Sequence, residues 1–144
     1  MDSDLIGLYD YATQHDIDVD WVPLAQATSL SVLLPDGRCS IAINHWRMTN
    51  TALETACLAH ELGHCETGSF YNPWAKLDVR QRHENRADKW AIKKLVPVDE
   101  LDSAVADGCT DLWSLAERFG LPVDFMRKAV CWYTHGNLAT ELYF

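Results

Sequence analysis

The sequence has no long apolar run and comparatively few basic residues. No stretch of its 144 residues approaches the roughly 20 consecutive apolar residues that cross a membrane. Its first residues are acidic, whereas a secretory signal peptide begins with basic residues and continues into an apolar stretch, so we expect no targeting segment. With 12 Lys and Arg against 21 Asp and Glu, the net charge of −9 disfavours binding to nucleic acid or to an anionic membrane.

The cysteines do not form a recognisable framework. There are five of them, none at CxxC spacing, and an odd number cannot all pair in disulfides. They are Cys39, Cys57, Cys65, Cys109 and Cys131. We therefore predict reduced thiols and a cytoplasmic protein.

No linker rich in Pro, Gly or Ser and no internal repeat divides the chain, so we predict a single domain over residues 1–144. The first region, residues 1–48, predicts a helix over 3–15 because apolar residues recur there at helical spacing. A β-hairpin is predicted after it, from Leu30 to Leu34 and from Cys39 to Asn44, around a Pro-Asp-Gly-Arg turn.

The rest of the chain is helical in pattern. Residues 49–97 predict two helices joined by an irregular loop; the first is capped by Thr49 or Asn50 and the second begins near Asp78. Residues 98–144 predict shorter helices, separated by glycines. The expected fold class is α+β, mainly helical, with a small β-sheet or hairpin near the N-terminus.

Residues 60–64 read HELGH, the HExxH pattern of a metal-binding helix. At roughly 100° per residue, His64 lies about 40° around the helix from His60, so both imidazoles can reach one metal ion. Glu61 flanks the same site and can act as a general base toward a water molecule. The pattern therefore predicts a catalytic metal centre rather than a structural one.

Two histidines are an incomplete set, because a catalytic zinc has three protein ligands and an open position. Glu84 is the predicted third ligand, and Asp88 lies on the same face of its helix, where it can accept a ring N–H from a ligand histidine. Cys57, one turn before His60, is the alternative third ligand, although a buried free thiol is its simpler role. We expect one Zn²⁺ ion, with other divalent metals not excluded.

Tyr71 lies in the loop between the two site helices. It is a candidate hydrogen-bond donor to an oxyanion, and the alternative is a packing role. With zinc on His60, His64 and Glu84, and with Glu61 as the base, the predicted reaction is hydrolysis of a peptide bond.

Two stretches of the sequence resemble the ImmA/IrrE family of metallopeptidases, which bacteria, phages and mobile elements encode. They are residues 58–66, LAHELGHCE, and residues 84–97, ENRADKWAIKKLVP. The second stretch matches the family motif at Glu84, Ala87, Asp88, Trp90, Ala91 and Pro97. The resemblance covers roughly residues 5–130. It implies a zincin-like fold, metal ligands at His60, His64 and Glu84, and a catalytic role for Glu61.

The resemblance also implies a substrate, a helix-turn-helix transcriptional repressor of a phage or mobile element. The alternative is a non-proteolytic antirepressor of the same fold, which binds its partner and contains the metal. Residues 111–122 resemble a helix-turn-helix in their LAxxFGL spacing, but residues 123–129 after them carry only two basic side chains. We therefore expect two packed helices there, with no direct contact to nucleic acid and none to a membrane.

Overall fold

The computed structural model describes residues 3–141, which form mainly helices around one small sheet. The strands are β1 (Asp18–Trp21), β2 (Ser29–Leu33) and β3 (Cys39–Ile43). The helices are α1 (Ser3–Gln14), α2 (Thr51–Thr67), α3 (Leu77–Leu95), α4 (Val98–Ala106), α5 (Leu112–Phe119) and α6 (Val123–His135). Short 3₁₀ turns cover His45–Arg47 and Ala139–Glu141. The prediction of a mainly helical α+β fold with a small N-terminal sheet is confirmed.

The sheet has the strand order β1-β3-β2, so β3 is central and β2 lies at an edge. Strands β2 and β3 form the predicted antiparallel hairpin, with Ser31 opposite Ile41. Strand β1 was not predicted. It pairs with β3 in parallel, with Val19 opposite Ile41, and has only four residues, two of them aspartates. A strand this short, whose partner lies far along the chain, leaves no local sequence signal.

The core lies where the sheet meets α2 and α3. Ile41 and Ile43 of β3 are at most 1% exposed, and they share one buried cluster with Leu58 and Leu62 of α2 and with Ile92 of α3. Burying a side chain of this size stabilises a fold by about 1.5–3 kcal/mol. The cluster therefore fixes the position of α2 against the sheet and against α3.

Helices α2 and α3 approach each other most closely at Gly63. A Cβ atom at this position would lie 2.9 Å from the Cα of Ala87 and closer still to its carbonyl oxygen. Because these atoms belong to the backbone of α3, they cannot move aside as a flexible side chain can. Glycine at position 63 is what allows the two helices to pack at this distance.

Helix α2 has a capping residue at each end. The Asn50 side chain accepts a hydrogen bond of 2.8 Å from the amide of Leu53, so Asn50 is the N-cap of the two residues proposed from the sequence. At the other end Gly68 adopts a left-handed conformation, with φ of 64°, and its amide bonds to the carbonyl oxygen of His64. Helix α2 therefore ends just after the HExxH pattern.

Cys39 and Cys65 form a disulfide between the start of β3 and the last turn of α2. Their Cα atoms are 5.8 Å apart, although the residues are 26 positions apart in sequence. The prediction of five reduced thiols is therefore wrong. It failed because a count and a spacing cannot show which cysteines the fold brings together. The cytoplasmic location loses this support and stays a prediction.

The three helices after α3 are short. Asp111 caps α5 by accepting a 2.8 Å hydrogen bond from the amide of Ser114, and α5 then packs against α6. Buried residues of the pair include Leu115, Phe125 and Met126. The segment with the LAxxFGL spacing is thus a pair of packed helices. Across residues 3–141, no helix is long and apolar enough to cross a membrane.

Candidate metal centre

The structure brings His60 and His64 of α2 together with Glu84 of α3. One ligand atom from each of the three lies within 4.8 Å of the others. The Nε2 of His60 is 2.7 Å from a Glu84 oxygen and 3.2 Å from the Nε2 of His64, which is itself 3.3 Å from the second Glu84 oxygen. Within residues 3–141, no other three His, Cys, Asp or Glu side chains bring ligand atoms this close.

The grouping follows from the geometry of two packed helices. His60 and His64 are one turn apart on α2, so their rings project from the same face. Gly63 lies between them in sequence and lets the backbone of α3 approach at Ala87. Glu84, one turn before Ala87, then reaches both imidazoles across the interface.

Each imidazole is oriented through its Nδ1 atom. The Nδ1 of His60 bonds to Oδ1 of Asp88 at 2.8 Å, and the second Asp88 oxygen accepts a 3.2 Å hydrogen bond from Lys128 of α6. The Nδ1 of His64 bonds to the carbonyl oxygen of Ser69 at 2.6 Å. With both Nδ1 atoms engaged as donors, both Nε2 atoms face Glu84, which is the arrangement that metal-binding histidines use.

The carboxylates around His60 control its protonation. Burial lowers the pKa of His60, but hydrogen bonds with Asp88 and Glu84 outweigh burial and raise the pKa to about 10. Burial acts in the opposite direction on Glu84, where hydrogen bonds from His60, His64 and Tyr71 hold the pKa below its usual range. The site therefore favours a positive charge at the Nε2 of His60, and a metal ion there would take the place of the proton.

Glu61 is buried beside the two histidines. Its Oε2 atom accepts a 2.7 Å hydrogen bond from the hydroxyl of Ser29 on the edge strand β2. Glu61 does not belong to the group of candidate ligand atoms, and its role as a general base stays a prediction. The sequence does not predict a role for Ser29, because Ser29 and Glu61 are 32 residues apart and no local pattern indicates that they are in contact.

The hydroxyl of Tyr71 donates a 2.7 Å hydrogen bond to Glu84. Burial and this bond to the carboxylate raise the pKa of Tyr71 to about 12, so the phenol is a neutral donor at physiological pH. In this structure Tyr71 therefore holds the carboxylate of Glu84, the candidate third ligand, in place. The oxyanion role stays a prediction.

Cys57 lies apart from the ligand group. Its thiol contacts the hydroxyl of Thr28 at 3.8 Å, and burial raises the pKa of the thiol. Cys57 is a free cysteine, whereas the alternative ligand set would need a thiolate beside His60. The three residues that do come together are His60, His64 and Glu84.

The site opens into a cleft of about 1090 Å³. The edge strand β2 borders the cleft on one side, with Ser29, Leu30 and Ser31, and α6 contributes Phe125 and Lys128. A donor set of two imidazole nitrogens and one carboxylate is typical of a catalytic zinc, whose fourth position stays open to substrate. The residues present therefore fit zinc.

No protein-family model matches the chain, and no curated protein matches it either. The likeness to the ImmA/IrrE family thus depends on the two motifs alone and stays a prediction.

Proposed function

We propose that the chain is a zinc-dependent endopeptidase. The observation that carries the proposal is the position of Glu61, which is buried next to His60, His64 and Glu84 and faces the same open cleft. A purely structural zinc site has no need for a carboxylate beside its ligands or for an opening to solvent. Bound zinc would supply Lewis acidity, which polarises a carbonyl group and makes a water molecule more acidic.

The protein's own residues have separable roles in this reaction. Glu61 takes the proton of the attacking water and passes it to the leaving amine, and the hydroxyl of Ser29 holds its carboxylate in place. Asp88 and the Ser69 carbonyl oxygen keep the histidines in the tautomer that binds metal. Among residues 3–141 no strand pairs with the outer edge of β2, so its main-chain groups can pair with an extended segment of the substrate.

The substrate that the family resemblance implies is a helix-turn-helix transcriptional repressor of a phage or mobile element. A protein substrate agrees with the volume of the cleft, about 1090 Å³, and with its opening to solvent. The net charge of −9 disfavours DNA as a target and favours regulation through a protein partner. We propose such a repressor as the biological target, and we expect the protein to bind neither nucleic acid nor a membrane directly.

The Glu61→Gln variant tests the proposal. We expect this variant to retain zinc, because Glu61 is not a ligand. Its cleavage rate should be about 10²- to 10⁴-fold lower than that of the wild type, because the general base is gone. Zinc content is measured by elemental analysis. Cleavage is measured by incubating the purified protein with the repressor encoded beside its gene.

Glu66→Gln is the matched control, since Glu66 lies on the same helix and bonds to Tyr11 on the other side. It should cleave at the wild-type rate. If Glu61→Gln still cleaves at the wild-type rate, Glu61 is not the general base and the observation that carries the proposal fails. If Glu61→Gln cleaves nothing but regulation in cells survives this change, the protein acts as a non-proteolytic antirepressor instead.

A further inference from the structure

Arg80 places its guanidinium group in the metal cleft without a partner among residues 3–141. It lies on α3, one helical turn or about 6 Å before Glu84, and its side chain lines the same cleft as His60 and Tyr71. In the part of the chain that the structure describes, no hydrogen bond or ion pair involves this side chain. Its Nε atom is buried without a hydrogen-bond partner. A buried donor that bonds to nothing costs stability, so its presence needs a reason.

Four of the other six arginines pair with an acidic residue. Arg38 pairs with Asp18, Arg82 with Asp78, Arg118 with Asp107 and Arg127 with Asp124, all at the surface. Surface pairs of this kind contribute little to stability. In a chain with 21 acidic residues, the arginine inside the cleft has no such partner.

The second cation of the cleft is already engaged. Lys128 of α6 lines the same cleft as Arg80, and its ammonium group bonds to Asp88, the carboxylate that orients His60. Arg80 lies close enough to Tyr71 for its positive charge to offset a small part of the rise in the pKa of that phenol, but it does not bond to it. The guanidinium is therefore the one cation of the cleft that remains available to a ligand among residues 3–141.

We propose that Arg80 forms a carboxylate subsite, so that the preferred substrate carries an acidic group close to the scissile bond. A guanidinium presents a planar fork of N–H donors that matches a carboxylate, and such a pair is strong where water is partly excluded. The carboxylate can come from an Asp or Glu side chain or from the C-terminus of the substrate. This inference rests on the proposed function and adds a specificity to it.

Peptide hydroxamates test the subsite without requiring turnover, because the hydroxamate group binds the metal. Two series extend from this group in opposite directions, one toward each side of the scissile bond. Each series contains a Glu peptide amide, a Gln peptide amide and a Gln peptide with a free C-terminal carboxylate. Affinity for the zinc-loaded protein is measured by calorimetry.

In one series we expect an acidic compound to bind about tenfold more tightly than the neutral Gln amide, as for a hydrogen-bonded ion pair. Arg80→Gln should abolish this preference without changing the affinity of the neutral compound, and Arg80→Lys should restore part of it. Arg82→Gln is the control, since Arg82 lies on the same helix and is exposed. A preference for the Glu compound identifies a side chain as the source, and a preference for the free acid identifies a chain end.

Three results would contradict different parts of the proposals. If the neutral and acidic compounds bind equally in both series, or if the acidic preference persists in Arg80→Gln, the subsite is wrong while the zinc site stands. If no hydroxamate binds, neutral or acidic, the metal centre itself is wrong, and with it the proposed function and this inference. If binding depends on Arg80 but Glu61→Gln and wild type alike cleave nothing, the subsite holds and the peptidase assignment fails.

Discussion

The Nδ1 atoms of the two histidines are held by different kinds of acceptor. His64 bonds to a backbone carbonyl oxygen, that of Ser69, whereas His60 bonds to the Asp88 carboxylate, which also bonds to Lys128. The backbone acceptor is fixed by the fold and cannot be removed by mutation. Asp88 is therefore the position where the orientation of a ligand can be tested with a side-chain change.

We expect Asp88→Ala to weaken zinc binding about 10- to 100-fold, because loss of the acceptor releases the His60 ring and leaves Lys128 near the site without its partner. Competition with a chromophoric chelator measures the affinity. Asp78→Ala is the control, since Asp78 lies on the same helix and pairs only with exposed Arg82. Equal affinities in the two variants would contradict a role for Asp88 in orienting His60.

At the residue scale, the sequence predicts those site residues that lie at helical spacing from one another. His60, Glu61 and His64 follow from the HExxH pattern, and Glu84 with Asp88 from one face of the next helix. Ser29, Ser69, Lys128 and Arg80 were not predicted. Ser29, Ser69 and Lys128 each reach the site through one hydrogen bond from another part of the chain. Arg80 is distinguished by the lack of any bond to its side chain among residues 3–141, which a sequence does not show.

At the element scale, the pairing of α2 with α3 decides whether three ligands meet. Gly63 is the position of closest approach, and a side chain there would meet the backbone of Ala87. The helices themselves were predictable because their apolar spacing, caps and prolines are local signals. Their close contact depends on a single glycine within the HExxH pattern. The sequence pattern does not show which part of the chain packs against this glycine.

Gly63→Ala should destabilise the protein by about 1–3 kcal/mol, because the added methyl group forces α2 and α3 apart. We also expect weaker zinc binding, since Glu84 moves with α3. Gly7→Ala in α1 is the matched control. A Cβ at Gly7 meets no atom within 4 Å, so this change should stabilise the helix by about 0.5–1 kcal/mol. Urea unfolding measures both, and a neutral Gly63→Ala would show that the helices are not held at contact distance.

At the scale of the whole molecule, two links join distant parts of the chain around the site. The Cys39–Cys65 disulfide ties β3 to the end of α2, and a metal ion on His60, His64 and Glu84 would tie α2 to α3. The amino-acid composition alone predicts neither of these links. The net charge of −9 does bear on the second link, because Glu61, Glu84 and Asp88 place part of the negative charge around one small volume.

The stability of the metal-free protein should fall as pH rises from about 6.5 toward 10. The pKa of His60 rises from 6.5 to about 10 in the fold, and that of His64 also rises, so the folded state binds more protons than the unfolded chain in this range. This contribution to stability is fully present below pH 6.5, the pKa of histidine in the unfolded chain, and it is lost as the pH rises through the pKa of the folded state. Glu84 and Asp88 have lowered pKa values, so their contribution is present at neutral pH and is lost only in acid.

Zinc reverses this trend, because it binds the deprotonated histidines and releases their protons. The gain in melting temperature on adding zinc, relative to protein in chelator, should therefore increase from about pH 6 to pH 8.5, because over this range each rise in pH weakens the competition between protons and zinc for His60, whose pKa in the fold is about 10. Differential scanning calorimetry at fixed ionic strength measures both states. His60→Gln should flatten the slope of the metal-free protein, whereas His135→Gln, at the exposed end of α6, should leave it unchanged. A melting temperature without zinc that rises over this range would show that the carboxylates do not hold His60 protonated.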